Sequence, residues 1–121
     1  MLNVEPDLDL TFLEEIADGS DDFIIESIDM FAQQTPQLMA DIEKGIAEQN
    51  WPVTASAAHK LKPNLGFFGM LTSQGLMQEI EHMAKGGLPD VATIGSKFDN
   101  VKGIINANLN KLAQIKAEKG A

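Results

Sequence analysis

Apolar residues recur along most of the chain at steps of three and four, the spacing that gathers them on one side of an α-helix. They nowhere alternate in the β-branched runs a strand requires, so the pattern predicts an all-helical chain. Leu10, Phe12, Leu13 and Ile16 make a short first helix that stops at Gly19. Ser20 has the chemistry of an N-cap, and Asp21 and Asp22 follow in the first turn, where the helix dipole favours negative charge. The second helix carries the stripe Ile24, Ile28, Phe31, Leu38, Ile42 and Ile46 to near Asn50. Pro36 inside it predicts a kink, because proline removes a backbone donor and crowds the turn before it. Asn50, Trp51 and Pro52 start a third helix that runs to about Gly69, with Thr54, Ala58, Leu61, Leu65 and Phe68 as its core face. A fourth turns Leu76, Ile80 and Met83 inward and ends at Gly86 and Gly87. Pro89 and Asp90 open the last, whose stripe is Val91, Ile94, Phe98, Val101, Ile105, Leu112 and Ile115. Four long amphipathic helices with short connections predict an all-α fold: an antiparallel, up-down-up-down four-helix bundle, with the short N-terminal helix as a lid.

A chain of 121 residues suffices for one compact domain over 1–121 and is too short for two separate cores. With 44% hydrophobic residues it can bury a core, and the absence of cysteine excludes disulfides, thiolate metal sites and cysteine nucleophiles. Glu5, Asp7 and Asp9 stand where a secretory leader needs a basic region and an apolar run, and no stretch approaches the roughly 18 apolar residues of a membrane span. The expectation is a cytoplasmic protein with no membrane contact. The nine positive residues are all lysine and the net charge is −9, which argues against nucleic acid, whose readers need a basic footprint and arginine forks. The charge is also lopsided: residues 1–50 hold thirteen acids against Lys44 alone, and residues 51–121 hold eight lysines against five acids. Anionic chemistry therefore belongs to the second part of the chain.

On the third helix, His59 falls about 150° from the centre of the core face at 3.6 residues per turn, which points it at solvent from mid-helix. Ala55, Ser56, Pro63 and Gly66 surround it within two turns, and all are small or compact. As a helix surface this is unfavourable, since Gly66 costs about 1 kcal/mol and Pro63 about 3 kcal/mol relative to alanine. Access explains the choice: a partner can bring a reacting group onto the ring without striking a side chain, which makes these four residues a candidate docking face. Lys62 lies three residues on and Lys60 flanks the other edge. Their ammonium groups favour an added phosphoryl dianion and disfavour a charged ring, which keeps the imidazole nucleophilic. A solvated, idle histidine is the competing reading of the same pattern.

The run Ala58, His59, Lys60, Leu61, Lys62, with Gly69 ten residues after the histidine, resembles the histidine-containing phosphotransfer (HPt) family, whose signature is H-x-L-K-G followed by a glycine at that distance. The order and lengths of the predicted helices extend the likeness over nearly the whole chain. The resemblance implies that His59 accepts a phosphoryl group from a receiver-domain aspartate and passes it to another receiver, that Lys62 is the family's lysine, and that Gly69 is the motif glycine. It implies response-regulator receivers or a hybrid sensor histidine kinase as partners of a monomeric phosphocarrier that is not itself an enzyme. It also implies that this chain needs no cofactor, Mg²⁺ and the catalytic acids being the receiver's. The chain departs from the signature at Pro63, which stands where the family has glycine and deletes the amide that would bond the carbonyl of His59.

The second histidine, His82, has the Glu-x-x-His spacing from Glu79 that carboxylate-bridged di-iron bundles use. A di-metal site needs a second such pair, and His59 has Ser56 at the matching place, so no metal site is expected. No glycine-rich nucleotide loop is present, so a donor protein must supply the phosphoryl group. Phe67 and Met70 lie off the core stripe and are open to two readings, partner contact or burial under the fourth helix. An adaptor of the same fold, docking on a receiver or kinase without being phosphorylated, is the alternative function.

Overall fold

Helices form where the apolar spacing and the cap residues put them, in a computed structural model that describes residues 6–87 and 89–120. Glu5, weighed above against a leader, lies outside the described residues. The helices are α1 (Thr11–Ala17), α2 (Asp21–Ala47), α3 (Trp51–Phe67), α4 (Leu71–Lys85) and α5 (Val91–Glu118). Ser20 Oγ accepts from the amide of Phe23, 3.1 Å away, and Asn50 Oδ1 accepts from that of Val53 at 3.4 Å, so both predicted caps start their helices. α2 stops at Ala47, three residues short of Asn50, because Gln49 takes a left-handed φ of 53° to turn the chain into α3. Pro36 lies inside α2, which continues past it as a helix.

α2 packs on α3, α3 on α4, α4 on α5 and α5 back on α2, the square of an up-and-down bundle, and α1 lies against α2. Ile24, Ile28, Phe31, Ile42 and Ile46 of α2 meet Thr54, Ala58, Leu61 and Leu65 of α3 and Ile94, Phe98, Val101, Ile105 and Leu112 of α5 in one continuous core. At about 1.5 Å per residue, α2 and α5 are about 40 Å long and α3 and α4 about 25 Å, so the long pair projects beyond the α3–α4 turn. The N-terminal segment occupies that end. The Asp9 amide donates to the carbonyl of Phe68 at 3.1 Å. The Asp7 carboxylate accepts from the Ser73 amide at 2.7 Å and from Asn108 Nδ2 at 2.7 Å. Gly69 has φ of 69°, and a Cβ there would collide with the Asp9 carbonyl, so glycine is required for both the turn and the crossing strap.

Several inward assignments shift. On α4, Leu76 and Met83 are only half-buried, and the face turned inward is Ser73, Met77, Ile80, Glu81 and Ala84. Leu38 and Ile115 are half-buried, Val91 is exposed at the start of α5, and α1 buries Leu13 and Ala17 while Phe12 and Ile16 face out. The acid excess of α2 meets lysines on α5 and just beyond its end, through Asp21–Lys119 at 2.9 Å, Asp29–Lys116 at 2.5 Å and Glu43–Lys102 at 3.1 Å.

Candidate functional site

His59 and Lys62 lie about one turn apart on α3, over the face of α4 that carries Gln74, Gln78 and Glu81. The His59 side chain is 68% exposed, as its place on the helix predicts. Glu81 is 2% exposed and sits between the two helices. Its Oε2 lies 3.1 Å from His59 Nδ1 and 2.6 Å from Lys85 Nζ, and its Oε1 lies 2.6 Å from Lys62 Nζ. A carboxylate can only accept, so Nδ1 carries a proton, and in the neutral ring Nε2 has the free lone pair. Burial pushes the Glu81 carboxyl up, but the ammonium groups of Lys62 and Lys85 outweigh it and hold the group down to about 2, charged at any ordinary pH.

Around these four groups the polar side chains are tied together. Lys62, itself 19% exposed, also donates to Gln78 Oε1. Gln78 presents Nε2 to His82 Nε2 at 2.8 Å, and Gln74 Nε2 donates to the Lys62 carbonyl at 3.1 Å. The Lys62 ammonium can only donate, so Gln78 faces it with its oxygen and turns its amide nitrogen to His82. Glu79 pairs with Lys97 at 2.6 Å, so the Glu-x-x-His pair has separate partners. His59 and Lys62 line an open groove of about 520 Å³ between α3 and α4, with Pro63, Leu71, Gln74 and Gly75. Leu71 is 69% exposed there and forms an apolar ledge beside the ring.

The proposed docking face is corrected in most of its members. Ala55 is buried, because the close α3–α4 packing covers it near Ala84 and Lys85. Gly66 is half-buried beside Gln74, whose flexible amide end would lie 2.6 Å from an added Cβ, so Gln74 and not open solvent lies over it. Ser56 is exposed but lines a separate depression with Leu38 and Asp41 of α2, and Lys60 shares that depression. A residue step of about 100° turns Lys60 toward α2 and away from the groove of His59. Of the four small residues, Pro63 alone lines the groove with the histidine, and α4 supplies the rest of the surface through Leu71 and Gly75. Met70 is fully buried, and Phe67 is half-buried with its ring edge-on to Phe12 and Phe68.

Wheel reasoning did not join Glu81 and Lys85 to His59. The only available signal was the i, i+4 spacing of Glu81 and Lys85 on an inward-drifting face.

A family model described as Hpt domain matches residues 26–115. The chain is similar in fold to a crystal structure of the HPT domain of an Hpt sensor hybrid histidine kinase from Shewanella. The TM-score is 0.75 at 20% identity, over 94% of this chain and 97% of that one. No curated protein matches the chain.

Proposed function

The chain belongs to the Hpt domain family, the phosphotransfer modules of two-component signalling, and we propose that it is a phosphorelay intermediate whose His59 takes a phosphoryl group from one receiver aspartate and hands it to another. The observation that carries this reading is the geometry of the ring: Nδ1–H is tied to a buried, charged carboxylate while the rest of the side chain stands in solvent. In the neutral ring the tautomer is thereby fixed, and Nε2 is the nucleophilic nitrogen. In the forward step its lone pair attacks the phosphorus of an aspartyl phosphate, the Nε2–P bond forms, and the P–O bond breaks with its electrons returning to the aspartate. The ring becomes cationic, and Glu81 faces that charge across 3.1 Å. Lys62, one turn along, favours the arriving dianion. Lys60 contributes at longer range only, from the neighbouring depression.

The chain then works as a carrier without an ATP site, and Mg²⁺ belongs to the receiver. Receivers, or a hybrid sensor kinase bearing one, are the partners, met in the cytoplasm by a monomer that engages neither nucleic acid nor membrane. Among the described residues no helix is long and apolar enough to cross a membrane. Incubation with a ³²P-labelled phosphorylated receiver tests the reading. The expected result is acid-labile label on the wild type and none on His59→Gln. A wild type that binds the receiver but stays unlabelled would establish the adaptor in its place.

A further inference from the structure

Glu81 has one carboxylate and three basic neighbours. From α3 it is faced by the His59 ring and Lys62, and from its own helix by Lys85. Lys85 and His59 contact the same oxygen, Oε2, so they compete for its charge. Glu48, at the C-terminal end of α2, lines a groove with Lys85 and makes no ion pair with it, and His82 joins the network only through Gln78. The two lysines differ in freedom. Lys62 is 19% exposed and also holds Gln78, whereas Lys85 is 60% exposed and has Glu81 as its ion partner.

We infer that Lys85 is a positioning residue that acts through Glu81 to set how long His59 keeps its phosphoryl group. The inference rests on the phosphocarrier reading. Once the Nε2–P bond exists, the proton on Nδ1 decides its fate. With that proton in place, the P–N bond breaks with its electron pair going to Nε2, and a neutral imidazole leaves. The oxygen of a receiver aspartate, or of water, forms the new bond to phosphorus, and in the second case a water proton passes to bulk. Without that proton the leaving group is an imidazolide anion, and the bond persists. Glu81 holds the proton by its charge, and Lys85, bound to the very oxygen that faces Nδ1, weakens that hold. Lys85 therefore prolongs the phosphorylated state.

The test phosphorylates the full chain chemically with phosphoramidate, identifies the His59 signal by ³¹P NMR through its loss in His59→Gln, and follows hydrolysis from pH 5 to 9. In Lys85→Met the hydrolysis profile moves up by about half a pH unit, which shortens the phosphohistidine lifetime about threefold on the alkaline limb. Lys85→Arg keeps the wild-type profile. An unmoved profile in Lys85→Met overturns the inference, and so does a change of equal factor at every pH, which would mean direct contact of Lys85 with the phosphoryl group. A wild type that phosphoramidate labels but no phosphorylated receiver does defeats the carrier reading separately. No His59 signal from phosphoramidate defeats both.

Discussion

At Glu81 a carboxyl group is held charged between two helices by two ammonium groups, and its linkage to folding has a definite sign. The unfolded carboxyl titrates near 4.5 and the folded one at about 2. The stabilisation is therefore fully present above about pH 4.5 and is lost as pH falls toward 2. It is on the order of 2 kcal/mol once the exposed Lys85 contact is discounted for solvent screening. Glu81→Gln is expected to lower stability at pH 7 and to flatten the fall of melting temperature between pH 4.5 and 2, read by circular dichroism at both ends. An equally steep fall in the variant would show that other carboxylates dominate acid unfolding. The exposure of His59 was legible from its place on one helix. Glu81 was not, because a lone acid on a helical wheel reads as solvent-facing until the lysine of the preceding helix is known to meet it. Ala55 and Gly66 failed for the same reason: their covering, by the α4 helix and by Gln74, comes from another element.

Among the elements, α4 shows how the pattern of apolar positions can misplace an inward face. Ser73 and Glu81 take inward slots that polarity assigns to solvent, and Leu76 and Met83 are displaced to the flanks. The predicted core stripe of α3, by contrast, holds, since Thr54, Ala58, Leu61, Leu65 and Phe68 keep helical spacing and all are buried, although Trp51, Ala55 and Ala57 are buried beside it. The N-cap residue of α4, Met70, provides no side-chain bond, and the carboxylate of Asp7 serves the Ser73 amide from 66 positions upstream. Such a cap has no local signature. Asp7→Ala strips the Ser73 amide and buried Asn108 of partners at once, so a loss of about 2 kcal/mol is expected in urea unfolding, with faster amide exchange at Ser73. A change under about 0.5 kcal/mol would mean that water replaces the carboxylate without cost.

Across the whole molecule, the uneven charge seen along the chain is partly closed in space, because Lys102 and Lys116 of α5 and Lys119 just past its end reach acids of α2. These contacts are exposed and are worth little individually. The remaining acids still give the α2 side a negative field, while the groove beside His59 carries Lys62. Discrimination between receivers of different surface charge should therefore narrow on going from low salt to about 0.5 M, measured as the ratio of transfer rates; an unchanged ratio would locate partner choice in the apolar ledge of Leu71 and Pro63. The strap formed by residues 7–9 bears on how small the unit can be made. The family match begins at residue 26, yet Ser73, Asn108 and the Phe68 carbonyl all rely on residues that come before it. A graft of this module into another signalling protein, trimmed to the family boundary, would carry the histidine and leave behind the latch that closes the far end of its two short helices.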